Sequence, residues 1–215
     1  MKKKLLFVLL AVALVGCGKT TAVTGVEAVN QLQAGEHDAT EKDNSFVADA
    51  DDAKNTKAGS VKKLKGAYQI QTNGSVIADT KYVFSENSLS IIQTGKYSFA
   101  DGQITISYGG TETSYDITET TDGFNLTTGE STLLPLVYME GTDGLTGSEN
   151  FDGVYSMSNT GYVFHADGSL DIISKQDCTI EKHSVTFAGS VYDWETKDDS
   201  IVLSTNGTEV MTLVP

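Results

Sequence analysis

The strongest constraint on the fold of this 215-residue chain is a tandem repeat. Gly66-Ala67-Tyr68 returns as Gly153-Val154-Tyr155, and Tyr82-Val83-Phe84 as Tyr162-Val163-Phe164. Ser88-Leu89-Ser90-Ile91-Ile92 returns as Ser169-Leu170-Asp171-Ile172-Ile173. Tyr115-Asp116-Ile117 matches Tyr192-Asp193-Trp194, and Phe124 with Leu126 matches Ile201 with Leu203. Leu134, Leu136 and Val137 match Met211, Leu213 and Val214. The blocks keep their order through both halves, shifted only by small insertions and deletions. Duplication of one unit accounts for this, so whatever one copy folds into, the other must resemble.

Each copy reads as β-structure. Apolar residues alternate with polar ones at Tyr82/Phe84, Leu89/Ile91, Tyr97/Phe99, Ile104/Ile106 and Phe124/Leu126, the period of a half-buried strand. Turn signals separate them: Glu86-Asn87, Asp101-Gly102, Gly109-Gly110, Asp122-Gly123, Asp167-Gly168, Asp198-Asp199 and Asn206-Gly207. Asp-Gly and Asn-Gly suit tight hairpins, whose two central residues need positive φ. The spacing predicts about eight short strands per copy. Pro135 cannot donate to a ladder, which puts its strand at an edge or a bulge. The expected fold is all-β, with two tandem small antiparallel up-and-down barrels over residues 63–140 and 151–215. The Gly-rich stretch Glu140 to Asp152, with Gly141, Gly144 and Gly147, is the expected linker. A barrel of about 75 residues fills its interior with side chains and buries a modest fraction of its surface, which leaves open whether one copy packs on the other.

The N-terminal quarter is different. Lys2, Lys3 and Lys4 precede the uncharged run Leu5 to Val15. As a helix that run would reach only about 16 Å, against a bilayer core of about 30 Å. A basic flank and a short apolar run predict a signal peptide over residues 1–16. The run ends in Leu14-Val15-Gly16-Cys17, which resembles the lipobox of bacterial lipoproteins: an aliphatic residue, two smaller ones, then Cys. The resemblance implies cleavage before Cys17, lipid on its sulfur, and a palmitate-type anchor at the extracytoplasmic face of the cell membrane, more in keeping with a Gram-positive than a Gram-negative envelope. Gly16-Cys17-Gly18-Lys19-Thr20 imitates the end of a phosphate-binding loop. Ala13 stands where that motif needs its first Gly, so the likeness carries no weight. Residues 17–62 are rich in Thr, Ala, Asp, Lys and Asn. They are expected to form a lipidated N-terminus and flexible tether, with a short helix at Val26, Val29 and Leu32 closed by Gly35.

Charge and cysteine narrow the partners. All fifteen basic residues are Lys. Removal of residues 1–16 leaves 12 Lys against 29 acidic residues, a net charge of −17, concentrated in the two repeats. Such a surface repels nucleic acid and anionic lipid and favours cationic partners. With Cys17 committed to lipid, Cys178 has no disulfide partner. It aligns with Tyr97 of the other copy, which predicts a buried thiol.

The repeat order is Gly-x-aromatic, aromatic-x-Phe, Gly95 to Phe99, Ile104 to Ile106, and Tyr115 to a final leucine strand. It is similar to the small lipocalin-like β-barrel domains of uncharacterised, chiefly Gram-positive, lipoproteins. The resemblance spans nearly all of residues 66–215 and implies a fold and an envelope location. It brings no catalytic residues. Those domains usually carry Trp where this chain has Tyr68 and Tyr155, and the Tyr97 position of the first copy is Cys178 in the second.

Candidate chemistry is sparse. His37 lies in the tether, His165 follows the inward Phe164 and so should face outward, and His183 falls in a turn. Asp167/Asp171 and Asp198/Asp199 read as turn-forming acids. Asp167 to Asp171 lacks the full pattern of a calcium loop. Trp194, opposite Ile117, reads as core. No catalytic, metal or cofactor site is expected. The leading functional expectation is a non-enzymatic module that contacts an envelope protein, a polysaccharide or a small ligand. A carrier of a small apolar ligand is the alternative. An enzyme with its site between the repeats comes third.

Overall fold

The computed structural model describes residues 45–55, 59, 62–141 and 153–215. Among these, one helix, α1 (Ser45–Asn55), precedes fourteen strands. The first copy contributes β1 (Gly66–Thr72), β2 (Ser75–Phe84), β3 (Ser88–Ala100), β4 (Gln103–Tyr108), β5 (Thr111–Thr120), β6 (Gly123–Thr128) and β7 (Ser131–Gly141). The second contributes β8 (Gly153–Met157), β9 (Thr160–Phe164), β10 (Ser169–Ile180), β11 (Ser184–Phe187), β12 (Ser190–Lys197), β13 (Ser200–Thr205) and β14 (Thr208–Val214). The all-β reading holds. Each copy has seven strands rather than about eight, because Leu89/Ile91 and Tyr97/Phe99 share one phase and lie on the single long strand β3.

The strands form one antiparallel sheet that closes into a ring, each strand pairing with its chain neighbours and β14 with β1. Two-residue turns drive the local pairing. Asp101-Gly102 and Asn206-Gly207 both adopt positive φ at each central residue, as a type I′ hairpin requires. A bulge in the β6–β7 ladder leaves Leu133 looped out and exposed two residues before Pro135, in line with the expected irregularity.

Neither copy closes on itself, so two successive self-contained barrels are not what is observed. β1 pairs with β14 and β7 with β8, so both closures join one copy to the other. The ring is also drawn in at its middle, where β3 pairs with β10 from Ser88↔Asp177 to Lys96↔Ser169. The first half of β3 pairs with β2 and the second half with β4; β10 divides likewise between β9 and β11. A core lies on each side of this waist. One joins Tyr68, Tyr82, Phe84 and Leu89 of the first copy to Cys178, Phe187, Leu203 and Leu213 of the second. The other joins Ile104, Phe124, Leu126 and Leu136 to Tyr155, Phe164 and Leu170. Each is therefore built from both copies. Edge-to-face rings fill them, Phe84 against Phe187 and Tyr155 against Phe164, with centroids 6.2 and 5.6 Å apart.

Ile92 pairs with Ile173, and the repeat alignment makes these two residues equivalents. The local twofold relating the copies thus passes between them. A third apolar cluster surrounds it: Ala67, Val83 and Ile92 from one copy, their equivalents Val154, Val163 and Ile173 from the other, with Phe46, Ala50 and Ala53 of α1 on top. The helix lies in the stretch expected to be tether. Its eleven residues are too few to hold a helix in water without packing, so the sheet supplies its stability. The expected helix at Val26 to Leu32, and the residues 142–152 of the linker, lie outside the described residues.

Because both closures and the waist join the copies, a break between them should not separate them. Cleavage of the folded protein at a protease site inserted between residues 142 and 152 should leave two fragments that co-elute in size-exclusion chromatography and part only in denaturant. Separation in native buffer would mean that each copy closes on its own.

Candidate functional site

The densest set of interacting charged side chains described lies where α1 crosses the waist. Phe46, Asp49, Ala50, Ala53 and Lys54 fall at i, i+3, i+4, i+7 and i+8, and so share one helical face. Below them Ser90, Ile92 and Thr94 of β3, and Asp171, Ile173 and Lys175 of β10, alternate onto one face of the sheet.

At the C-terminal half of the helix, Asp171 is only 2% exposed. It accepts hydrogen bonds from Thr94 Oγ1 at 2.8 Å and from His165 Nε2 at 2.8 Å, and Lys54 Nζ lies 3.4 Å away. A carboxylate at that distance needs a proton on Nε2, so the neighbouring Lys54 Nζ, 3.1 Å from the ring nitrogen, makes its ion pair with Asp171 and not a bond to the imidazole. Burial alone would raise the Asp171 pKa. The bonds from His165 and Thr94 and the Lys54 charge outweigh it and hold the carboxyl below its ordinary 3.8. Lys81 Nζ donates to the Ala53 carbonyl at 3.0 Å, where a helix end favours a cation. At the N-terminal half, Asp49 Oδ2 pairs with Lys175 Nζ at 2.7 Å and accepts from Ser90 Oγ at 3.1 Å. Lys175 also sits over the Phe46 ring, 5.7 Å from its centroid. Gly161 makes room for that ring: a Cβ there would collide with it.

These contacts hold the helix against the sheet. Four residues after His165, the Ser169 hydroxyl is committed to the turn, donating to Asp167 at 2.6 Å. Asp167 is the turn former expected, its carboxyl held low chiefly by the Ser169 hydroxyl and amide. Asp171 is not a turn acid: it lies in β10, where the β3 ladder buries it. His165 does face outward, onto the groove, and His183 does lie in a turn. Cys178 is buried at 2% exposure and burial pushes its thiol up, so it is a poor nucleophile. Trp194 packs at the rim of the first core, with Nε1 donating to the Glu181 carbonyl at 3.0 Å. Tyr82 and its equivalent Tyr162 are both pushed up to about 12, chiefly by burial. Among the described residues no three His, Cys, Asp or Glu side chains converge as metal ligands, and no helix is long and apolar enough to cross a membrane. Leu14, Val15, Gly16 and Cys17, with His37, lie outside the described residues.

Sequence reasoning missed Asp49, Lys54, Lys81, Lys175 and their groove. The available signal was the spacing of Phe46, Asp49, Ala50, Ala53 and Lys54, muted because alanines supply most of its apolar face.

No protein-family model, no curated protein and no solved structure matches this chain.

Replacing Asp171 by Asn leaves Lys54 and His165 facing a neutral amide. The variant should lose roughly 1–3 kcal/mol in urea unfolding at pH 7. Because the folded carboxyl titrates below its unfolded value, its contribution is complete above about pH 4 and is lost as pH falls through the folded pKa. The gap between wild type and variant should therefore shrink steadily in acid. A gap that stays constant from pH 7 to pH 2.5 would contradict this.

Proposed function

We propose that this chain is a lipid-anchored protein of the extracytoplasmic face of a bacterial membrane, serving as a non-enzymatic interaction module. The observation that carries the anchor is the sequence Leu14-Val15-Gly16-Cys17 at the end of a short apolar run behind three lysines. Two acyl chains at about 0.8 kcal/mol per buried CH₂ make a stable attachment.

Three features support an interaction role. Each core is a cluster of aromatic and aliphatic side chains packed on one another, which favours a rigid body over a carrier. Of the buried polar side chains described, Asp171 and Ser90 are both spent on the helix groove. The net charge of −17 expected after cleavage favours a cationic partner at the envelope. In this reading each repeat is a small lipocalin-like unit that completes its barrel with strands of the other copy.

Expression of the full chain in a Gram-positive host tests the anchor. Wild type should fractionate with membranes and incorporate labelled palmitate, whereas Cys17→Ser should lose the label and move to the soluble fraction. Equal membrane retention of the variant would overturn the lipid anchor. Native mass spectrometry of the detergent-released protein addresses the module: a bare protein mass is expected, and a tightly held apolar adduct would favour a carrier instead.

A further inference from the structure

The groove under α1 sits on a local twofold, but a helix has no twofold symmetry. A surface made of two identical halves would accept the helix equally well in either direction. The apolar floor is close to such a surface, since Ala67/Val154, Val83/Val163 and Ile92/Ile173 are equivalent pairs. The polar positions beside the floor are not. Lys81 and Gly161 are equivalent because they pair with Ile92 and Ile173 respectively. Ser90 is equivalent to Asp171, and Thr94 to Lys175. In every one of these pairs the two copies carry different chemistry, and the two members lie toward opposite ends of α1, Thr94 acting there through Asp171.

We propose that the waist is a directional helix-docking surface, and that the divergence at Lys81/Gly161, Ser90/Asp171 and Thr94/Lys175 fixes which way α1 lies. At the end where the helix begins, Gly161 leaves space for Phe46, while Lys175 and Ser90 hold Asp49. At the end where it finishes, Lys81 caps the Ala53 carbonyl, while Asp171, oriented by Thr94, holds Lys54. Turned round, the helix would bring Phe46 against the Lys81 side chain, where no glycine makes room. It would also set Asp49 beside Asp171 and Lys54 beside Lys175. Both encounters are between like charges, and the first is with a buried carboxylate. The kind of segment this surface fits is therefore specific: a short helix with an aromatic residue, an acid three positions later, small residues at the contact, and a lysine eight positions after the aromatic. The resident occupant is α1. The proposal stands whether or not Cys17 carries lipid.

Hydrogen exchange of the full chain, read by mass spectrometry over residues 45–55 and over the strands, tests it. A fourfold exchange between the copies (Ser90→Asp, Thr94→Lys, Asp171→Ser, Lys175→Thr) reverses the charge pattern while keeping composition, Gly161 and both cores. Amides of α1 should then exchange at least tenfold faster, with β-strand protection unchanged. Adding Asp49→Lys and Lys54→Asp, which reverses the helix to match, should return protection to within about twofold of wild type. Should the fourfold variant fail to fold, the single variant Asp49→Lys carries the same test. It should free α1, Lys175→Asp added to it should restore docking, and Asp51→Lys, an exposed acid outside the contact face, should do nothing. Undiminished α1 protection in the charge variants, or no rescue by the matching change, overturns the proposal.

Discussion

The antiparallel pairing of β3 with β10 is the contact on which the remainder of the structure depends. It is the one ladder in the ring between strands that are not chain neighbours and do not close the circle. Without it fourteen strands would enclose one wide interior that their side chains could not fill. With it, the ring narrows into two lobes of a size that Tyr, Phe, Leu and Ile can pack. The same ladder brings Ile92 against its own repeat equivalent Ile173, so the symmetry of the duplication is expressed at a single pair of buried side chains.

The length of β3 and β10 explains why the copies are interleaved rather than consecutive. Each runs for a dozen or more residues without a break, so its two ends cannot serve one small lobe. Leu89 and Ile91 face the first core while Tyr97 and Phe99 face the second. Two strands of each copy and half of a third, β1, β2 and the start of β3 or β8, β9 and the start of β10, thereby line the lobe built mostly by the other copy. Local hairpins could form in either arrangement; strand length selects this one.

The helix groove is a consequence of that waist. Crossing the junction leaves an apolar saddle on the outer face, and α1 covers it with Phe46 and two alanines, adding ion pairs at each end. A buried carboxylate is costly unless well paired, and Asp171 receives two hydrogen bonds and a neighbouring ammonium. The charges also discriminate between placements, because the wrong placement sets like charges together and leaves a buried carboxylate unpaired.

The sequence by itself determined the β character, the duplication, the hairpin turns, an edge or bulge at the strand of Pro135 and the burial of Cys178. All of these rest on local alternation, turn chemistry or comparison between copies, and none requires knowing which strands pair. The continuity of β3 was overlooked, although Leu89, Ile91, Tyr97 and Phe99 keep one phase. Only the tertiary structure decided which copy each strand serves, because an antiparallel ladder reads the same from sequence whether its partner is near or eighty residues away. It also decided the role of Asp171, which by spacing alone resembles a turn acid like Asp167 and becomes a buried anchor only because β3 and α1 cover it. The helix at Ser45–Asn55 was hidden for the same reason: its few apolar atoms cannot hold it alone, and the surface that holds it exists only once the two copies have met.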